Sequence, residues 1–166
     1  MNNKLNEFLK ITKKLNQKGI TPLLMGSLGL EFVTQKNWDS RDIDIHVPGD
    51  SRGWEAPDDE RIDDWETVLQ VMKEMDYNLI DLHEHEFSKN NISVEFGVID
   101  TLPSFAGVSL DELEVNKLEG TKFLTPSIEA YLKIYIASSK DSYRADNNNH
   151  KDLEKVEYLI KQLRAQ

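Results

Sequence analysis

The chain contains no cysteine. Disulfides, thiolate zinc sites and cysteine nucleophiles are therefore excluded, and such usage fits a reducing compartment. No apolar run approaches the roughly 20 residues needed to cross a bilayer, and the opening Met-Asn-Asn-Lys lacks the apolar centre of a signal peptide. A cytoplasmic protein away from membranes is the expectation. Basic residues are outnumbered, with 20 Lys and Arg against 30 Asp and Glu, giving a formal net charge of −10. Long nucleic acid is disfavoured as a substrate, because a grip on the phosphate backbone draws on clustered Lys and Arg. Small molecules, cationic acceptors or a protein partner remain. There is no internal repeat and no low-complexity tract. What is present is the composition of one ordinary domain able to bury a core, 39% hydrophobic and 30% charged over 166 residues.

The most informative stretch runs from Leu23 to Val47. A short apolar run breaks at Gly26-Ser27, continues with helical spacing through Leu28, Leu30, Phe32 and Val33, and ends in alternation. The order is strand, turn, helix, strand. In Asp42-Ile43-Asp44-Ile45-His46-Val47 a period of two puts Asp42, Asp44 and His46 on one face and the aliphatics on the other. Two carboxylates about 4 Å apart repel by ~1 kcal/mol in water and ~4 kcal/mol at an effective dielectric of 20. A rigid strand holding both ionised invites a divalent cation, and hard oxygen ligands favour Mg²⁺, which takes the rest of its shell from water and substrate phosphates. Gly26 allows close backbone approach, Ser27 offers a hydroxyl, and the free N–H groups of a starting helix complete an anion site. By itself each half is commonplace: Gly-Ser before a helix is usually a plain turn, and Asp-x-Asp is often a solvated edge.

Joined, Met25-Gly26-Ser27 and Asp42-Ile43-Asp44-Ile45 resemble the signature of the nucleotidyltransferase superfamily related to DNA polymerase beta. Arg41-Asp42-Ile43-Asp44 and the helix Leu28-Gly29-Leu30-Glu31 look most like the small aminoglycoside and lincosamide nucleotidyltransferases. The resemblance implies an α+β fold, a mixed β-sheet flanked by helices with a helical C-terminal tail. It would be a single domain over residues 1–166, with its core at about 20–124 and the tail at 125–166. It also implies two-metal transfer of a nucleoside monophosphate from an NTP, ATP foremost, to the hydroxyl of a small-molecule acceptor, with two Mg²⁺ or Mn²⁺ as cofactor. Asp42, Asp44 and Glu95 would be the catalytic and metal-binding carboxylates, Glu95 standing where the family more commonly carries Asp, with Asp100 the next candidate. Gly26, Ser27, Arg41 and Lys151 would meet the nucleotide phosphates. A homodimer would add the surface that so small a chain lacks for enclosing an acceptor. The same fold also serves as an antitoxin or regulatory module that binds a protein partner, and that alternative stands beside the enzymatic one.

Elsewhere the patterns are structural. Leu5, Phe8, Leu9 and Leu15 predict a first helix over 3–18, closed by Gly19. A strand is expected over Ile20–Met25, with Pro22 at its start. Trp38 is expected to pack under the loop into the carboxylate strand, with a substrate-side role as the other reading. Pro48–Pro57 is a loop, expected to be a simple surface excursion, with Trp54 and the carboxylates of Glu55, Asp58 and Asp59 as the candidates if it touches a substrate. Ile62, Trp65, Val68, Leu69, Met72 and Met75 mark a helix. Tyr77–Glu86 and Asn91–Ile99 read as two strands of a hairpin, the second presenting Ser93, Glu95 and Gly97 on one face. His83-Glu84-His85-Glu86 lacks a suitably spaced third ligand, so a solvated strand is expected there rather than zinc. Residues 100–117 look irregular, 120–124 form a strand, and helices follow from Thr125-Pro126-Ser127 and from about His150, the last burying Leu153, Val156, Leu159, Ile160 and Leu163.

Overall fold

In the computed structural model, residues 3–140 and 142–165 are described, without the side chains of 142–151. The first helix, α1 (Asn3–Gln17), buries Phe8, Leu9, Ile11 and Leu15. Its C-terminus is fastened both locally and to a distant segment: Asn16 donates to the carbonyls of Ile20 and Lys122 and accepts from the Lys122 amide. Then come β1 (Leu23–Met25), α2 (Gly26–Thr34) and β2 (Ile43–Val47), in the order expected from the sequence. β1 is shorter than expected, since residues 20–22 lie outside it. Past a loop that includes a single 3₁₀ turn at Gly53–Glu55 lie α3 (Trp65–Glu74), β3 (Asn78–Asp81), β4 (Glu86–Lys89) and β5 (Ile92–Val98). The chain closes with α4 (Leu102–Ala106), β6 (Glu114–Leu118), β7 (Thr121–Thr125), α5 (Ile128–Lys140) and α6 (Ser142–Arg164).

One mixed seven-stranded sheet runs in the order β3-β4-β5-β2-β1-β7-β6. β2 is antiparallel to β1 and parallel to β5, while β1 is parallel to β7. The alternation read in β2 is realised: Ile43, Ile45 and Val47 are buried against α1 and α3 in the larger core, each worth about 1.5–3 kcal/mol relative to exposure. The opposite face of β1 carries Leu23 and Met25, which pack with Leu102, Ala130 and Ile134 of α4 and α5. Over β2, β5 and β4 that second face carries Asp44, Glu95 and Glu86 instead, and a polar floor results beside the α4–α5 wall.

Four expectations are corrected. Tyr77–Glu86 is not one strand: β3 and β4 are separate, joined by a turn at 82–85 in which His85 has φ 51° and is fully buried. Residues 114–118 are a strand within the segment read as irregular; β6 pairs with β7 around Glu119-Gly120, both at positive φ, as a two-residue turn of this hand requires. Helix α6 begins at Ser142 rather than near His150. Leu153 of that helix is exposed, whereas Leu159 is buried as expected.

Candidate nucleotide site

Strand pairing assembles the acidic set. In the register of β2 and β5, Asp44 lies directly beside Glu95, and on the other side of β5 Glu86 lies opposite the same residue. Neighbouring strands are about 4.8 Å apart, so ionised Asp44 and Glu95 repel by about 3 kcal/mol at an effective dielectric of 20. Burial first, then Asp44, Glu86, Asp42 and Glu84, push the Glu95 carboxyl up to about 7. Asp42, just ahead of β2, is also shifted upward, by burial and then by Glu86 and Asp44, with Arg41 pulling weakly the other way. Among the described residues neither Asp42 nor Glu95 has an ion-pair partner within 4 Å. Nor does any group of three carboxylates or imidazoles there close into a cage that would hold an ion unaided.

The Gly26-Ser27 turn abuts this set. Gly26 has φ +64°, and a Cβ there would lie 3.1 Å from Asp44 Cβ and 3.3 Å from its Oδ2, so glycine lets the turn come down onto the carboxylate. The turn is pinned from behind by the buried Tyr131 of α5, whose hydroxyl donates to the Gly26 carbonyl at 3.1 Å. Met25, at the N-cap of α2, gives its amides no side-chain cap, and a helix start of this kind is where anions commonly bind. Lys155 of α6 is buried, donates to Ser27 Oγ at 3.0 Å and sits over the Tyr135 ring. A held ammonium therefore stands beside uncapped helix amides, across from the carboxylates.

Structure thus brings Asp42, Asp44, Glu95, Gly26 and Ser27 together. Arg41 is exposed beside Asp42. The side chain of Lys151 lies outside the described residues; Lys155, one turn further along α6, is the lysine seen to reach the turn. Sequence reading passed over Lys155 because only the helix register, i to i+4, singles it out. Glu86 was missed because its position opposite Glu95 depends on how the hairpin folds. Asp100, the alternative third carboxylate, is occupied elsewhere, accepting from the Gly49 amide at 2.9 Å. Trp38 packs against Tyr158 of α6 and donates from its ring to Thr34, in agreement with the packing role.

His83 and His85 do not form a solvated strand. Buried His85 contacts the Asp58 carbonyl through Nε2 at 2.6 Å, and buried Arg61 donates to the His83 carbonyl while approaching His85 Nδ1. Asp58 holds both Arg61 and His83, and Trp54 stacks on the Arg61 guanidinium and the His83 ring. The loop after β2 is thereby latched to the turn between β3 and β4. Trp54 keeps 60% of its surface exposed, but Asp58 is committed to the latch.

Residues 4–165 match the family described as "Nucleotidyl transferase of unknown function (DUF2204)". The chain belongs to this nucleotidyl transferase family. A relative, the uncharacterized protein YnaI of Bacillus subtilis (strain 168), is 39% identical over 160 residues, spanning 96% of this chain and 97% of that protein. The fold is that of nucleotidyltransferases of known structure. The antibiotic-resistance factor ANT(2'')-Ia superposes in solution with a TM-score of 0.66 at 12% identity, covering 96% of this chain and 84% of that one. Its crystal structure with adenylyl-2''-tobramycin gives 0.65 at 12% identity, covering 98% and 90%. An antigenic nucleotidyltransferase-like protein from Paracoccidioides brasiliensis gives 0.62 at 15%, covering 95% and 76%. No helix among the described residues of this DUF2204 member is long and apolar enough to cross a membrane.

Proposed function

We propose that this protein transfers a nucleoside monophosphate from an NTP, ATP foremost, to a hydroxyl of a small-molecule acceptor, with magnesium dependence and release of pyrophosphate. The observation that carries the reading is the placement of Asp44 beside Glu95, with the Gly26-Ser27 turn against the same aspartate. The acceptor oxygen would bond to the α-phosphorus as the bond to the β-phosphate oxygen breaks, and the hydroxyl proton would leave to solvent or a basic group. Asp42, Asp44 and Glu95 would hold two Mg²⁺, for which Mn²⁺ could substitute. When bound, the metal supplies charge neutralisation on the transferring phosphoryl and a more acidic acceptor hydroxyl. The chain's own part is positioning. The α2 amides, Ser27 and Lys155 would fix the outer phosphates and offset charge as pyrophosphate forms, while β2 and β5 keep the carboxylates rigid.

The adenylylated tobramycin bound to ANT(2'')-Ia supports a polar, hydroxyl-rich acceptor by analogy of fold. The net charge of −10 favours a cationic or neutral one, since a negative surface concentrates cations within roughly 8 Å at physiological salt. Exposed Trp54 and the carboxylates of Glu55 and Asp59 are the groups to grip it. The test is pyrophosphate release across NTPs and hydroxylated acceptors with Mg²⁺ or Mn²⁺, with product mass identifying the transferred group. If no acceptor supports release while the acidic surface captures one protein partner, the antitoxin-like reading replaces the enzymatic one.

A further inference from the structure

His46 follows Asp44 on the same face of β2, and its Nε2 lies 3.3 Å from Asp44 Oδ1. The ring occupies space that only glycine leaves open. Its partner across β5 is Gly97, where a Cβ would come within 2.6 Å of Nε2 and 2.9 Å of two ring carbons. The other nitrogen, Nδ1, is buried without a hydrogen-bond partner among the described residues. An orphaned buried nitrogen lowers stability, and an aliphatic side chain on this strand would avoid the cost. What the imidazole gains is its contact with Asp44. That contact falls on Oδ1, whereas Oδ2 is the oxygen facing the Gly26 turn.

We infer that His46 is a positioning residue for Asp44. It engages Oδ1 and so turns Oδ2 toward the phosphate turn, in the manner of outer-shell groups that orient a metal-binding carboxylate. The inference rests on the proposed role of Asp44 in holding metal. Gly97 belongs to the same device, because its missing Cβ is what admits the ring. A side chain kept only for packing would lose stability when replaced by one of similar bulk; a positioning group that carries an orphaned nitrogen should not.

Mn²⁺ binding in the presence of a non-hydrolysable ATP analogue, read from the electron paramagnetic resonance of free Mn²⁺, tests this together with the melting of the metal-free protein. His46→Leu is expected to melt at or above the wild-type temperature and to bind Mn²⁺ 10–100-fold more weakly, the usual range for losing such a partner. His46→Gln, which keeps a polar group of similar reach beside Asp44, should recover much of that affinity. Gly97→Ala, which leaves His46 in place but displaces its ring, should weaken Mn²⁺ as His46→Leu does. A His46→Leu protein that melts early yet binds Mn²⁺ like the wild type overturns the inference, as does equal loss in the Leu and Gln variants. Absence of Mn²⁺ binding in the wild type would overturn the metal reading of Asp44 itself, a distinguishable result.

Discussion

At the scale of single residues, the site is a set of charges and close contacts that would be unfavourable in an inert protein. Glu95 is the clearest case. Its carboxyl loses a proton near 4.5 in the unfolded chain and near 7 in the fold, so the folded protein binds more protons between those values and stability falls as pH rises through them. The metal-free wild type should therefore be destabilised between about pH 5 and 8, relative to Glu95→Gln, by at most about 3 kcal/mol and less after solvent screening. Denaturant melts of the two proteins at both pH values check this. The same variant should lose nucleotidyl transfer yet keep most NTP affinity, because Asp42 and Asp44 remain; unchanged turnover would remove Glu95 from the reaction. Gly26→Ala combines positive φ with contact against Asp44 and should cost about 1–2 kcal/mol of stability along with activity.

Among the elements, the latch between the β2–α3 loop and the β3–β4 turn has its own pH signature. Burial above all holds the His85 imidazole below its ordinary value; the hydrogen bond to the Asp58 carbonyl opposes it, and the Arg61 guanidinium then adds to the lowering, with lesser contributions from the Asp58 carboxylate and His83. Unfolding lets His85 take up a proton below about pH 6.5, so its contribution is present above that pH and fades as pH falls toward the folded value. This trend runs opposite to that of Glu95, and the two are separable only by mutation. His85→Gln should flatten the acid limb of the stability profile, measured by melting between pH 5 and 7.5. Arg61→Met should lower stability by roughly 3 kcal/mol, since it strands buried partners and unstacks Trp54. If the loop also grips the acceptor, that variant should raise the acceptor KM and leave the NTP KM near the wild-type value. Equal rises in both would place the loop away from the acceptor.

For the molecule as a whole, distant parts of the chain converge on one turn, the proposed seat of the phosphates. The Gly26 turn comes from the first quarter of the sequence, and Lys155 with Tyr131 from the last two helices. A triphosphate seated between them should tie the helical tail to the sheet. ATP with Mg²⁺ is accordingly expected to raise the melting temperature, and ATP in EDTA to do so far less, because the carboxylates would then face the phosphates uncompensated. Equal shifts in the two conditions would argue against metal-bridged binding. Lys155→Met should lessen the shift with Mg²⁺ present, which distinguishes a phosphate contact from a purely structural lysine.

Local chemistry made much of this legible from the sequence. The strand-turn-helix-strand unit from Leu23 to Val47, the shared face of Asp44 and His46, and the half-buried face of β5 that carries Glu95 all follow from periodicity and from Gly26-Ser27, which act over a few residues. Whatever depends on partners distant in the chain was decided by tertiary structure. His83 and His85 read as a solvated strand because alternation cannot reveal that Arg61 and Asp58 fold back to bury His85. β6 is too exposed to show a hydrophobic pattern and exists through its ladder with β7. Lys155 reaches Ser27 only because α5 and α6 pack back onto the start of α2, and Glu86 meets Glu95 only through the register of β4 on β5. Side-chain spacing fixes which residues share a face, whereas the pairing of faces is settled by burying the largest apolar area at once, a property of the whole chain.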